Sequence, residues 1–459
     1  MTSLPDSARD ALSALLGARL SLSEADRDQH AQSETYFTSP PPYAVVYPET
    51  TEEVAQIVRI CAEHDLPVIG WGAGTSLEGH ALPIRGGITV DFARMSRVLE
   101  IHPEDLDVVV QPGITREALN TELRSTGLFF PIDPGANATL GGMAATRASG
   151  TTAVRYGTMR DNVLALEVVL ADGRIIRTGS RARKSSAGYD LTGLFVGAEG
   201  TLGLVTELTL RLQGQPEAIS AAVCAFPDME HAIDAVIQTI QMGVPMARIE
   251  FIDADCAAAF NAFSGTNLPL KPHLMIEFHG SEAGVAEQAE TFGEIATEFG
   301  ATGFERATRT EDRTKLWEAR HKAAWAIAAT RPGAKMMATD ICVPISRLAE
   351  AINETRADIA RASIPGPILG HVGDGNFHAT LLIDMDNPAE LDEAKALAAR
   401  MNDRALRLGG TVTGEHGIGM GKLAYMPAEH GAGWDVMGQI KQTLDPDNIM
   451  NPGKLLRGN

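Results

Sequence analysis

Apolar positions first recur with helical spacing at residues 10–20, and the pattern stops at Ser39-Pro40-Pro41-Pro42. Residues 1–41 therefore read as an N-terminal arm. Beyond it, short apolar runs alternate with periodic segments. Ala44-Val45-Val46-Tyr47-Pro48 and residues 66–69 have strand character. Residues 49–63 read as a helix with Thr50 or Thr51 as N-cap and Glu53 close behind. Residues 87–91 and 107–113 read as strands, 116–126 as a helix, and 163–170 with 174–178 as a hairpin about Ala171-Asp172-Gly173. Gln213-Gly214-Gln215-Pro216 interrupts the pattern and marks a domain boundary. Strands at 218–226, 248–252, 274–280, 303–306 and 337–343 then alternate with helices at 229–242, 283–299, 346–361 and 388–408. A long amphipathic segment covers 311–329. This mixture predicts an α+β domain with an antiparallel sheet. The expected divisions are 1–41, 42–214, 215–420 and a C-terminal segment, 421–459.

The glycines are unevenly spread. Gly70-Trp71-Gly72-Ala73-Gly74-Thr75-Ser76 follows a strand, and its small residues expose backbone N–H groups suited to an anion. The spacing is not that of the dinucleotide fingerprint G-x-G-x-x-G. Residues 134–158 are likewise poor in large side chains, as if a flat, extended cofactor filled the space. A tight turn alone would also account for the first loop.

A second glycine cluster carries histidines. Gly370-His371-Val372-Gly373-Asp374-Gly375-Asn376-Phe377-His378 lies between two apolar runs. With Gly373–Asn376 as a four-residue loop, His371 would pair directly with His378. Opposed Cβ atoms on one sheet face lie about 5 Å apart, close enough for two imidazoles to share a metal. Downstream, Gly414-Glu415-His416-Gly417 offers a carboxylate beside a further histidine. Neighbours on a regular strand face opposite ways, so the flanking glycines must bend the chain for both to serve one site. Two histidines and one carboxylate leave open coordination positions, as a catalytic site requires. Zn2+ is the first expectation, Mn2+ the second, and Fe2+ remains compatible. His416 is then available as a general base. Simple packing or hydrogen bonding of the histidines is the competing reading.

Composition narrows the classes. Of 459 residues, 59 are acidic and 39 basic, a formal net charge of -20. That disfavours nucleic acid and anionic membrane surfaces as partners. No apolar run approaches the roughly 18 residues of a membrane span, and the N-terminus lacks the pattern of a secretory leader. A cytoplasmic location is the expectation, peripheral association with an inner membrane being compatible. Cys61, Cys224, Cys256 and Cys342 are widely spaced, which removes iron–sulfur clusters and thiolate zinc sites.

Taken in order and spacing, residues 70–79, 134–157 and 197–206 resemble the FAD-binding domain of the vanillyl-alcohol-oxidase superfamily. The match is to its D-2-hydroxyacid dehydrogenases, the D-lactate dehydrogenase (cytochrome) and glycolate-oxidase-subunit branch, and it runs from about Pro42 to the C-terminus. The resemblance implies an FAD-binding domain followed by a substrate-binding cap. It assigns Gly72, Ala73, Gly74, Thr75 and Ser76 to the pyrophosphate. Pro134, Gly135, Gly141, Gly142, Gly150, Thr151 and Gly157 would line the ribityl chain and flavin ring; Glu199, Gly203 and Val205 the adenine end; Asn451 a further contact. His80 is the one nearby candidate for a covalent flavin bond, but this branch implies non-covalent FAD. The resemblance gives His371, His378, Glu415 and His416 the roles already read from them. It adds Arg320, in Trp317-Glu318-Ala319-Arg320-His321, as the group that binds a substrate carboxylate, with Lys335 as a second cationic position. Asn376 and Thr380 would line the pocket.

The implied reaction oxidises a D-2-hydroxy acid. The metal binds the 2-hydroxyl and a carboxylate oxygen, His416 takes the proton, and hydride passes from C2 to flavin N5. Some relatives that use dicarboxylates have asparagine at the place of Thr380, which favours a monocarboxylate such as D-lactate over 2-hydroxyglutarate. Glycolate remains open. Electrons would leave to cytochrome c, a quinone or an electron-transfer flavoprotein, and a homodimer is compatible. Alternatives are a non-redox metalloenzyme such as a zinc hydrolase, a non-catalytic flavin subunit, and the flavin-using ether-lipid synthase of the same superfamily.

Overall fold

The computed structural model describes residues 3–456. The first two residues of the expected arm and the last three of the C-terminal segment lie outside the described residues. The chain forms two compact units. One holds the chain through Ser149, Gly157–Gln215 and Glu415 onward; the other holds Gly150–Tyr156 and Pro216–Gly414.

In the first unit, a four-stranded sheet has the order Leu20–Ser21, Ala44–Val46, Ile88–Asp91, Val68–Trp71. The last three strands are parallel. The helix Thr51–Glu63 makes the crossover, capped at Thr50 by a bond from Glu53 N. The helix of the arm spans Asp6–Leu16, earlier than the apolar period suggested, because Gly17 turns the backbone to φ +55. Leu12 and Leu16 pack with Val54, Ile57 and Val58, so the arm is built into this core. A five-stranded antiparallel sheet follows, in the order Val98–His102, Asp107–Val110, Leu204–Arg211, Val163–Val169, Ile175–Arg177. The hairpin about Asp172 forms in the expected place. The helix Ala432–Leu444 was not visible in the apolar pattern, since none of its residues is buried.

The second unit is built on one antiparallel sheet. Its strands run Thr302–Ala307, Ala218–Ala225, His273–Gly280, Met246–Ile252, Ile368–Gly370, Asn376–Ile383, Lys335–Ala338. One face carries Phe251, Phe278 and Phe377 against helices that contribute Ile233, Phe292, Ile352 and Leu397. The other face carries Ile252, Met275, Leu369 and Leu382 against Trp317, Ala326 and Phe260. Two expected elements are broken. The amphipathic segment becomes Thr310–His321 and Ala323–Ala329, parted at Lys322. The strand at 337–343 becomes Lys335–Ala338 and Ile341–Cys342, parted at Thr339-Asp340.

The histidine hairpin forms, with a different register. Leu369, not His371, faces His378, and Ile368 faces Ala379. The loop is a 3-10 turn at Val372–Asp374 closed by Gly375 at φ +78, with Asn376 N donating to His371 O. Gly375 supplies the left-handed residue, so the loop closes one position earlier than expected. The resulting pairing differs by two positions, and a shift of two keeps every side chain on its face. His371 and His378 therefore remain on one face as diagonal neighbours. A Cβ on Gly375 would also lie 2.1 Å from Val343 O. Gly375→Ala should cost more than the ~1–2 kcal/mol of a left-handed non-glycine residue. A denaturation midpoint unchanged from wild type would contradict this placement.

Candidate active site

The second unit brings His371 and His378 together with ring centroids 5.5 Å apart and planes at 80°. The Nδ1 of His378 lies 3.0 Å from Thr339 O, an atom that only accepts, so Nδ1 carries the hydrogen. The Nδ1 of His371 lies 2.7 Å from Glu250 Oε1. Glu250 is fully buried in the strand Met246–Ile252. Continuing the register Phe251↔Gly370 puts Glu250 opposite His371. Both rings are thus held in the tautomer whose lone pair is on Nε2. That is the arrangement of metal-ligating histidines, whose other nitrogen donates to a carboxylate or carbonyl. The donor set fits a divalent cation.

Glu250 also holds Arg320. Glu250 Oε2 accepts from Arg320 Nε at 3.0 Å and lies 2.6 Å from Nη2. Arg320 stands on the helix Thr310–His321, which covers the face that carries His371 and His378. Thr380 is buried two positions beyond His378 on that face. Asn376 is buried, but its Nδ2 donates to Asp340 Oδ1 at 2.7 Å and to Ile341 O at 2.8 Å. It braces the break in the neighbouring strand. Lys335 is exposed and pairs with Ile383, five strand positions from His378, so the structure does not bring it beside the histidines.

Gly414 closes the second unit so tightly on Asn376 that a Cβ would lie 2.2 Å from Nδ2. Glu415 and His416 come next in the chain and belong to the first unit. The expected bending is present at Gly417 (φ +85) and Gly419 (φ +47). Gly417 packs against a buried pair, His80 and Glu199, whose Nε2 and Oε1 are 3.2 Å apart. Burial is the largest single influence on the pKa of His80 and lowers it, but the charge and hydrogen bond of Glu199 and the charge of Glu78 together outweigh it, and the net direction is up. Glu199 accepts from Ile418 N at 2.7 Å and Gly419 N at 2.9 Å, so its carboxylate clamps the segment after His416. Asn451 Nδ2 donates to His80 O and Glu199 O, knitting the tail to the same two loops.

Gly72–Ser76 follow the strand Val68–Trp71 as a partly exposed loop. Among the described residues, their backbone N–H groups donate no hydrogen bond, so they remain available to an anion. A Cβ on Gly72 would lie 2.2 Å from Thr139 Oγ1, the cap of the helix Leu140–Thr146, which contains Gly141 and Gly142. The loop thus sits against a helix N-terminus. This cradle fits a phosphate-bearing cofactor. Gly203 is required for another reason: its Cβ would meet Val168 and Val169 O on the adjacent strand. Val205 pairs with Val168 in that sheet. Pro134 and Gly135 lie in the loop before the helix, and a Cβ on Gly135 would meet nothing. Gly150 (φ 153) and Thr151 belong to the short segment counted with the second unit, and Gly157 (φ 77) begins the return to the first.

Glu250, Thr339 and Asp340 were missed in the sequence. Glu250 had a weak signal: in Arg248-Ile249-Glu250-Phe251-Ile252, charge alternates with apolar residues inside a buried strand. The role of Thr339 is played by its backbone, which no residue pattern reveals.

Comparison with known proteins identifies the family and the fold. Residues 42–179 match the FAD binding domain, and residues 215–455 match the C-terminal domain of FAD linked oxidases. The chain is 50% identical over 441 residues to a probable mitochondrial D-lactate dehydrogenase of Danio rerio, covering 95% of this chain and 89% of that one. It is 46% identical over 416 residues to the mitochondrial D-lactate dehydrogenase [cytochrome] of Arabidopsis thaliana, covering 90% and 73%. It is 36% identical over 419 residues to glycolate oxidase subunit GlcD of Bacillus subtilis, covering 90% and 89%. Among solved structures, p-cresol methylhydroxylase with substrate bound has a TM-score of 0.81 at 19% identity, covering 98% of this chain and 96% of that one. Alkyldihydroxyacetonephosphate synthase has a TM-score of 0.77 at 20% identity, covering 98% and 85%. At such identities the structures speak for the fold alone, an α+β architecture of the vanillyl-alcohol-oxidase type. The sequence relatives speak for descent, and the chain belongs to the FAD-linked oxidases, on the branch that holds cytochrome-type D-lactate dehydrogenases and glycolate oxidase subunits.

Proposed function

We propose that this protein is an FAD- and divalent-metal-dependent dehydrogenase that oxidises a D-2-hydroxy acid, D-lactate foremost, to the 2-oxo acid. The observation that carries the reading is the pair His371 and His378, each held by its Nδ1 hydrogen bond in the tautomer of a metal ligand. The relatives named D-lactate dehydrogenase support the substrate. In this reading His371, His378 and Glu415 hold the metal, Zn2+ before Mn2+ or Fe2+. His416 accepts the proton of the substrate hydroxyl. Arg320 takes the substrate carboxylate with the donors it does not spend on Glu250. Buried Thr380 offers no charge for a second carboxylate, in line with a monocarboxylate. Lys335 contributes only long-range attraction for the anion. FAD, held without a covalent bond by the Gly72–Ser76 loop, supplies the hydride acceptor.

Electrons leave to a cytochrome, quinone or electron-transfer flavoprotein. The cytoplasmic location expected from the sequence differs from that of the two relatives named mitochondrial. Among the described residues, no helix is long and apolar enough to cross a membrane. A panel of D- and L-2-hydroxy acids, scored by anaerobic bleaching of the flavin, tests the reading. D-lactate should bleach fastest; a panel with no response would sink it, as would a purified protein that carries no flavin.

A further inference from the structure

Glu250 has no place in the reaction described above, yet it is completely buried in the sheet and touches two of its working residues. Burying a carboxylate is costly unless its oxygens are fully used. Here the two oxygens are divided. Oε1 faces His371 Nδ1 at 2.7 Å, and Oε2 faces Arg320 Nη2 at 2.6 Å and Nε at 3.0 Å. The register of the strands Met246–Ile252 and Ile368–Gly370 places Glu250 opposite His371, so the first contact is fixed by the sheet. The helix Thr310–His321 brings Arg320 from above the same face.

We propose that Glu250 is a positioning residue that couples the metal site to the substrate-carboxylate site. This rests on the proposed function, since it takes His371 as a metal ligand and Arg320 as the carboxylate anchor. By accepting from His371 Nδ1, Glu250 keeps the Nε2 lone pair for the metal and makes the ring a better donor. By accepting from Nε and Nη2, it orients the guanidinium so that the Nη1 edge meets the substrate carboxylate. It also balances the arginine charge while the pocket waits for substrate. One side chain therefore fixes the spacing between the metal and the cation that grips the acid. The substrate must bridge these two points for C2 to be presented correctly.

Glu250→Gln tests this directly. The two amide atoms of glutamine are one acceptor and one donor. Whichever way the amide turns, its N–H faces either the Nδ1 hydrogen of His371 or the guanidinium. The first case pushes His371 into the other tautomer, and the second displaces Arg320. FAD content should stay at the wild-type level. Affinity for Zn2+ or Mn2+, measured by competition with a chromogenic chelator on the full protein, should fall about 10–100-fold. KM for D-lactate at saturating metal should rise about tenfold or more, with kcat less affected. A merely structural role would lower thermal stability and move neither metal affinity nor KM. If Glu250→Gln does not fold, Glu250→Asp keeps the charge opposite Arg320 but retracts from His371, and the same fall in metal affinity is expected. If wild type binds metal and the folded variant matches it within twofold in both metal affinity and KM, Glu250 is not a positioning residue and the proposed function stands. If wild type itself takes up no metal, both fall together.

Discussion

His416→Ala is expected to reduce the rate of flavin reduction by D-lactate about 10²–10⁴-fold, the usual worth of a positioned general base. An aliphatic hydroxyl does not give up its proton near neutrality unaided, and hydride transfer from C2 needs that electron density. An imidazole, with an ordinary pKa of about 6.5, is the side chain best matched to accept it. The variant should keep its FAD. The segment after His416 is held by bonds from Ile418 N and Gly419 N to Glu199, and Gly417 packs on the His80–Glu199 pair. None of these contacts uses the His416 side chain. Stopped-flow mixing under anaerobic conditions would give the rate, and the visible spectrum the FAD content. A variant that reduces its flavin within a few-fold of wild type would remove His416 from the role of base.

Stripping the metal should have an effect of similar size. A bound divalent cation lowers the pKa of a coordinated water from 15.7 to as low as about 7, and a substrate hydroxyl gains in the same way. A chelator should therefore suppress substrate-driven bleaching by at least about a hundredfold. The spectrum of oxidised flavin should not change, because the proposed cradle at Gly72–Ser76 uses backbone N–H groups rather than the metal. Return of Zn2+ or Mn2+ should restore the rate in wild type. In His378→Ala the loss should persist at metal concentrations that restore wild type, since one of the three proposed ligands is gone. Full activity after exhaustive chelation, with metal shown to be absent, would return the histidines to a hydrogen-bonding role.

How far the fold was legible depended on the kind of residue that set each element. Strands with continuous apolar runs were visible, as at Val163–Val169 and His273–Gly280. So were helices with a clear stripe, as at Met229–Gln241 and Pro388–Arg407. Ala254–Ser264 escaped, because alanine and phenylalanine on all sides leave little periodicity. Val98–His102 escaped because none of its residues is buried. In the site, the residue types were readable but their spacing was not. His371 and His378 were legible as a pair, yet the register was set by Gly375, whose backbone conformation a string of glycines does not single out. A two-position difference is harmless to the chemistry, because strand side chains alternate with period two. The supporting groups were hidden by their nature. Thr339 makes its contact through its carbonyl, and Glu250 meets His371 through a register that appears only when two strands distant in sequence are laid side by side. Glu199 and Asn451, assigned by resemblance to the cofactor, show contacts to the chain itself.

The most direct test of the central claim is an anaerobic titration of the purified, metal-replete protein with D-lactate and, separately, with L-lactate. The account predicts that D-lactate bleaches the flavin absorbance to completion and that one 2-oxo acid appears for each flavin reduced. L-lactate, which presents its C2 hydrogen to the wrong side, should leave the flavin oxidised. Equal bleaching by both enantiomers, or by neither, would contradict it.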